Sequence, residues 1–485
     1  MKDQVTGAAA LFDNPVAFDN LIFDTDSYKL SHFSQYPEGT QYVSSYIEPR
    51  RAWGDIDRVM FFGLQIELAK LAGQAVTQAM LDEAAPFLKA HGFDVFVDGW
   101  QYIIDRHEGR LPVLIEALPE GTLAPVSVPQ LRIENTDPNC YWLVSYLETR
   151  LLRAVWYGST VASLSHYVVG SIRERLAQTD GSDAGAEFKL HDFGARGASS
   201  NEAAGIGGAA HLVNSFGTDT IAGLVYARNY YGADMAGFSI PATEHSTMTA
   251  AGEAGELDQM RRFLAANPTG LIACVSDSYD LMRAVKEYWG GTLKDAVLAR
   301  DGVLVVRPDS GDPVEIVPDV IEALMAKFGY STTDQGYRLL NDKGRVIQGD
   351  GIDKDSIVRI MDTMMERGLA IGNIAFGMGG GLLQKVNRDS FGYAMKASAI
   401  FYDGAWRDVF KDPKTAGGAK TSKKGKQGAM RTDSGAFVAR PAANIPMGAD
   451  ALVPVFRDGR ILNLHSFDQI RARAWPDALG FGAAA

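Results

Sequence analysis

From Glu187 to about Lys385 the chain repeats one pattern: a short apolar run, a polar or glycine-rich turn, then a helix. Phe188-Lys189-Leu190 leads into His191-Asp192-Phe193-Gly194, and Phe238-Ser239-Ile240 into Pro241-Ala242-Thr243-Glu244-His245-Ser246. Leu271 to Val275 runs into Ser276-Asp277-Ser278, and Val303 to Val306 into Arg307-Pro308-Asp309-Ser310-Gly311. Val346-Ile347 runs into Gln348-Gly349-Asp350-Gly351. Ile371 to Phe376 reads as a buried strand, followed by Gly377-Met378-Gly379-Gly380-Gly381 and a helix from Leu382 onward. Apolar strands alternating with helices predict parallel βαβ units. The turns carry neither GxxxxGK[ST] nor GxGxxG, which favours a closed, irregular α/β barrel over an open nucleotide-binding sheet. The units recur as architecture, without a sequence repeat of fixed period.

The flanks read differently. Residues 1–20 form a loosely held leader, and residues 21–160 an N-terminal α+β region. In that region helices are expected over Gln65–Gly73 and Thr77–His91, and a strand over Pro112–Leu118. A long apolar helix is expected over Asn139–Tyr157, after the turn Asn135-Thr136-Asp137-Pro138. The barrel takes residues 161–390, and after Arg388 its rhythm stops. Within the C-terminal region, 391–485, Lys411 to Gly428 holds six lysines, one Asp and no Glu, a basic loop that serves as a solvated surface or faces an anion. Short strands around Leu452-Val453-Pro454-Val455-Phe456 are expected to pack back on the N-terminal region, and Gly480 to Ala485 to fray.

Composition narrows the class. A chain of 485 residues, 46% hydrophobic and 22% charged, can bury a large core in two packed domains. No apolar run approaches the ~18 residues of a membrane span, and Met1 to Asn20 lacks the apolar core of a secretory signal. A net charge of −12 argues against a general nucleic-acid binder, so a polyanionic substrate has to be met by locally concentrated Arg and Lys. Two distant cysteines, Cys140 and Cys274, read as core thiols of a reducing compartment. Together these suggest a cytoplasmic enzyme.

In a parallel barrel the strand C-termini converge on one mouth. Those ends supply Asp192, Phe193, Arg196, Glu244, His245, Asp277, Arg307, Asp309, Asp350 and the Gly379-Gly380-Gly381 loop. Acids there suit ribose hydroxyls or Mg²⁺, arginines suit phosphate, and glycine turns admit a sugar phosphate closely. The blend points to phosphorylated-sugar chemistry. Each residue has a plainer use: Asp309 and Asp350 as turn formers or caps, His245 as a satisfied structural histidine, Phe193 as core, Arg388 and Lys396 as solvated charges, and the glycines as a tight packing turn.

The ordered runs Asp24-Thr25-Asp26-Ser27-Tyr28-Lys29, Glu134-Asn135-Thr136-Asp137-Pro138 and His191-Asp192-Phe193-Gly194 resemble the nicotinamide phosphoribosyltransferases, type II phosphoribosyltransferases related to the nicotinate enzymes. So do Phe216-Gly217-Thr218-Asp219-Thr220, Glu244-His245-Ser246-Thr247, Ser276-Asp277-Ser278-Tyr279-Asp280, Arg307-Pro308-Asp309-Ser310-Gly311, Gln348-Gly349-Asp350-Gly351 and the Gly379 loop. The resemblance extends from about Asn20 to Ile470. It implies an irregular α/β barrel, a second α+β domain built from both chain ends, and a homodimer with active sites at its interface. It also implies formation of nicotinamide mononucleotide and diphosphate from nicotinamide and 5-phosphoribosyl 1-diphosphate, with Mg²⁺, and with ATP as a coupled co-substrate.

Carried over by position, the resemblance implies that Phe193 and Tyr28, the latter from the second subunit, stack on the pyridine. Asp219 accepts from the carboxamide and repels nicotinate, while Asp309, Gly349 and Asp350 hold the ribose. Arg196, Gly379, Gly380 and Arg388, with Arg50 and Lys396 lent by the partner, hold the 5-phosphate. Arg307, His245 and the basic loop from Lys411 face the diphosphate. His245 is the expected phosphorylation site, with Glu244 orienting its ring. Two departures stand out: Ala273 where a serine is usual beside the pocket, and Met378 where a small residue is usual in the glycine loop. The competing readings are a nicotinate phosphoribosyltransferase and a non-catalytic binder of a phosphorylated metabolite.

Overall fold

The computed structural model describes residues 20–412 and 422–476. The leader (apart from Asn20), residues 413–421 of the lysine-rich segment, and the Gly480–Ala485 tail lie outside them. The chain forms two compact units. One comprises residues up to Glu120, Ala124–Trp156 and Arg388–Leu464; the other comprises Gly121–Leu123, Tyr157–Asn387 and the chain from His465.

The second unit is the α/β body. Six parallel strands run in the order Gly217–Thr218, Leu190–Asp192, Ile374–Met378, Gly344–Gln348, Asp301–Arg307 and Thr269–Val275. The apolar run Phe238–Ile240 forms no regular strand. It belongs to a seam that joins the two sheet edges through single parallel bridges, Gly217 to Phe238 and Ala242 to Ala273. Four backbone hydrogen bonds hold this seam: Thr218 N–H to Phe238 O (3.0 Å), Phe238 N–H to Phe216 O (2.6 Å), Ala273 N–H to Pro241 O (2.9 Å) and Thr243 N–H to Ala273 O (3.0 Å). The expected barrel therefore closes irregularly. Inside it, buried Ala273, Val305 and Ile347 pack with Phe193, Ile240 and Ala375. Ala273 is thus part of the barrel filling.

The first unit is α+β, and both chain ends enter its sheet. Seven antiparallel strands run in the order Ala405–Asp408, Ala394–Tyr402, Tyr42–Glu48, Leu131–Asn135, Val113–Ala117, Val453–Arg457 and Arg460–Ile461. Alternation builds one buried face: Ile115 lies opposite Ile133, and both are fully buried with Val43 and Ile47. Asp403-Gly404 and Asp458-Gly459, all at positive φ, make the two-residue hairpins that such twisted strands favour. Arg132 is buried opposite Glu116 and bonds it through Nε (2.8 Å) and an Nη (2.6 Å), with Asp450 at 3.1 Å.

Several sequence expectations shift at element ends. The helix expected over Asn139–Tyr157 is instead a 3-10 turn (Pro138–Cys140), a short helix (Leu143–Tyr146) and a 33-residue helix (Glu148–Asp180). At the second break tertiary bonds hold Tyr146: its carbonyl accepts the Thr25 hydroxyl (2.9 Å), and its phenol donates to Ile22 O (2.5 Å). Ile371–Asn373 is a 3-10 turn, the strand starts at Ile374, and the helix expected after Leu382 is only Gly380–Leu383. Thr77 caps Gln78–His91 through Met80 N–H, while the preceding helix spans Leu64–Gly73. Both cysteines are free and buried, and burial pushes each thiol up to about 12.

Candidate active site

The strand C-termini of the second unit bring the expected rim residues together. His245 opens the helix His245–Thr249, and its Nε2 lies 2.9 Å from Asp277 Oδ1, just beyond the strand Thr269–Val275. Asp277, rather than Glu244, therefore orients the ring. Glu244 faces its own helix, capping it reciprocally with Thr247 and accepting the Ser246 hydroxyl. The sequence puts Asp277 on the rim, and its place one strand over from the histidine is the signal for this role.

Asp309 follows the strand Asp301–Arg307 and sits at φ +55°, a left-handed conformation that Asp tolerates better than most residues. Its Oδ2 pairs with Arg307 Nη2 at 3.0 Å, while its Oδ1 is buried with no hydrogen-bond partner. Burial pushes the Asp309 carboxyl above the ordinary carboxylate value; Arg307 pulls it back and the charge of Asp277 adds to the rise. Gly349 lies between Phe193 and Asp309: a Cβ there would sit 3.4 Å from both side chains. Asp350, exposed beyond it, is held by a hydrogen bond from Gln348 Nε2 to its carbonyl (2.9 Å).

Phe193 is half-buried, and its N–H bonds Met378 O at 3.1 Å. Its ring lies directly on Gly377, where a Cβ would meet ring carbons at 2.0 and 2.2 Å. In the glycine loop, a Cβ on Gly381 would meet Ile352 O at 2.8 Å, so that glycine serves packing. One on Gly380 would meet nothing within 4 Å, so space is open beside its Cα. Gly379, at φ −87° and ψ −119°, lies outside the main wells for L-residues. Exposed Arg196 sits on the 3-10 turn Ala195–Gly197, which packs against Gly380. Met378 belongs to the strand, opposite Asp192, with its side chain beside Gly381.

Asp219 is exposed beside this group. Its N–H bonds the carbonyl of Asp192, the residue before Phe193, at 2.9 Å, and its Oδ1 accepts the Ser239 hydroxyl at 2.5 Å. Ser239 escaped sequence reading, although it was the polar interruption in an apolar run. Asp192 itself is buried, accepts Gly194 N–H at 2.7 Å, and is pushed up to about 6 by that burial.

The first unit holds the remaining expected residues. Tyr28 is exposed and meets His32 edge to face at 5.1 Å. Lys396, on the strand Ala394–Tyr402, is pushed down by burial and by the nearby cations Arg50, Lys411 and Arg388, while Glu148 opposes the shift. These four cations thus form one electropositive group. Arg50 N–H is fixed to Phe391 O at 2.8 Å, and Lys411 exchanges backbone and side-chain hydrogen bonds with Ser422.

Among the described residues, the three-ligand group of His, Cys and acid atoms is His107, Asp137 and Cys140 in the first unit. There Asp137 accepts from His107 (2.9 Å) and Tyr102 (3.1 Å) and caps the following turn. The rim instead offers the unpaired Asp309 oxygen, which suits Mg²⁺ held by a carboxylate, waters and substrate oxygens.

Fold and rim together define a class: a phosphoribosyltransferase built on an α/β barrel. The chain belongs to the nicotinate phosphoribosyltransferase (NAPRTase) family, whose profile matches residues 188–451; the nicotinamide phosphoribosyltransferase N-terminal domain matches residues 20–115. It is 46% identical to a nicotinamide phosphoribosyltransferase of Xanthomonas campestris, covering 94% of this chain and 98% of that one. It is 32% identical to one of Acinetobacter baylyi, covering 92% and 95%. Solved structures share the fold: a nicotinate-nucleotide pyrophosphorylase of Pyrococcus furiosus (TM-score 0.61, 16% identity, 96% and 97% coverage) and human nicotinic acid phosphoribosyltransferase (0.55, 19%, 93% and 93%). Among the described residues no helix is long and apolar enough to cross a membrane.

Proposed function

We propose that this chain transfers the 5-phosphoribosyl group of 5-phosphoribosyl 1-diphosphate to the ring nitrogen of nicotinamide, releasing diphosphate and forming nicotinamide mononucleotide for NAD salvage. The observation that carries the reading is the exposed carboxylate of Asp219, joined through its backbone to the residue before Phe193. A carboxamide donates to that carboxylate; a nicotinate carboxylate meets like charge. The 46% identical relative supports the same substrate.

Cleavage of the C1–O bond passes through a cation-like sugar, so the chain's task is positioning and charge neutralisation rather than nucleophilic attack. Phe193 seats the pyridine face, and Asp309, Gly349 and Asp350 hold the ribose. Arg196 and the backbone of Gly379 and Gly380 face the 5-phosphate, while Arg307 faces the diphosphate. The unpaired oxygen of Asp309 would hold Mg²⁺, which would supply positive charge toward the diphosphate. The exposed ring of Tyr28 suits a flat pyridine. The cation group of Arg50, Arg388, Lys396 and Lys411 suits phosphate, and the chain works as a homodimer.

ATP coupling is part of the proposal. With Nε2–H donated to Asp277, the Nδ1 lone pair of His245 is the nucleophile that takes the γ-phosphoryl group, with ADP leaving. His245→Ala should then abolish ATP stimulation and leave ATP-independent synthesis; persistent stimulation contradicts this step. The substrate assignment is tested by Asp219→Ser, which should shift preference toward nicotinate. Unchanged preference contradicts the pocket reading.

A further inference from the structure

We infer that Ser239 is the positioning residue that aims Asp219 at the substrate amide, an inference resting on the nicotinamide reading above. The geometry is direct: Ser239 Oγ donates to Asp219 Oδ1 at 2.5 Å. Asp219's backbone is pinned separately to Asp192 O, so the hydroxyl controls the remaining freedom, rotation of the carboxylate. With Oδ1 engaged, Oδ2 is left to accept one amide N–H.

The neighbouring histidine does not substitute for it. His191 Nε2 lies 3.0 Å from Phe188 O, and a carbonyl only accepts, so Nε2 carries the hydrogen. In the neutral ring Nδ1 is then a lone pair, and it faces Gly217, where a Cβ would lie 2.7 Å away. Burial pushes this histidine toward its neutral form, with the Asp219 charge opposing. Among the described residues, Ser239 is the side-chain donor that reaches the Asp219 carboxylate.

The irregular seam explains how Ser239 gets there. A regular strand over Phe238–Ile240 would continue the edge ladder. The seam makes single bridges at Phe238 and Ala242, and Ser239 between them turns to the Asp219 side. The irregular closure of the barrel thus delivers one hydroxyl. The same bond supports specificity, because a hydroxyl committed to Asp219 is not offered to a nicotinate carboxylate.

Both side chains are exposed, so their bond contributes little to folding and becomes valuable once the ring covers it. The test uses the full-length enzyme with Ser239→Ala, Ser239→Thr and Asp219→Asn, measuring KM for nicotinamide, kcat and Tm. Loss of a bond to a charged group should raise KM about tenfold in Ser239→Ala. Its kcat and Tm should stay near wild type, and Ser239→Thr should restore KM. If Asp219→Asn raises KM and Ser239→Ala does not, the inference is overturned and the pocket reading stands. If neither raises KM, both are overturned. A Ser239→Ala enzyme with lowered Tm and kcat, unrescued by Thr, marks a merely structural serine and also overturns the inference.

Discussion

Gly377→Ala tests whether the barrel wall sets the attitude of the Phe193 ring. The added methyl would lie 2.0 Å from one ring carbon, against the 3.4 Å of ordinary contact, so the ring must retreat by about 1.4 Å. The Phe193 backbone cannot follow freely, because its N–H is tied to Met378 O at 3.1 Å and Met378 is paired with Asp192 in the sheet. The ring therefore swings about its own torsions, away from the face it offers the pyridine. Overpacking of this kind costs about 1–3 kcal/mol, and a misplaced aromatic pair loses about 0.5–1.5 kcal/mol. KM for nicotinamide should rise about three- to tenfold, with denaturant unfolding showing the stability loss. In a Phe193→Ala background the methyl meets no ring, so the same change should cost almost nothing. The double-mutant cycle should give a coupling of at least about 1 kcal/mol. Additive effects, or a Gly377→Ala enzyme with wild-type KM, would show that the wall at Gly377 does not set the ring's attitude.

Other consequences follow from buried charge. Asp192 has a folded value of about 6 against 3.8 unfolded, so the native state holds its proton more tightly. Stability should fall as pH rises between those values and stay lowered above them, a cost of about 3 kcal/mol. Asp192→Asn, which keeps an acceptor for Gly194 N–H, should accordingly stabilise the protein at pH 7.5 and have little effect near pH 4. Equal effects at both pH values would contradict the burial argument. In the first unit, Arg132→Met leaves Glu116 and Asp450 without their guanidinium and should cost about 3–5 kcal/mol in urea unfolding. Losing Asp277 frees the His245 ring, so Asp277→Asn should weaken ATP stimulation more than ATP-independent synthesis, read from initial rates at saturating substrates.

The periodic part of the chain was the legible part. Apolar runs such as Val303–Val306 and Val346-Ile347 became barrel strands because their residues are buried in a parallel sheet, and their polar ends became the rim. Tertiary bonds decided the rest. Phe238–Ile240 has strand composition, yet the seam it occupies bridges two edges, and Ser239 within it bonds Asp219. The Asn139–Tyr157 run has helical character throughout, yet the Thr25 hydroxyl, far away in sequence, bonds the Tyr146 carbonyl where the second break falls. Glu244 is adjacent to His245 in sequence but belongs to the cap of its helix. Asp277, thirty-two residues on, holds the ring. The glycine loop mixes both of its readings: Gly381 packs and Gly380 lies open.

Substrate choice is read from product formation with nicotinamide and with nicotinate in parallel, each with 5-phosphoribosyl 1-diphosphate and Mg²⁺. Nicotinamide mononucleotide should form from the amide, with little or no product from the acid. Preference for nicotinate would contradict the role given to Asp219 while leaving the barrel and its phosphate loop in place.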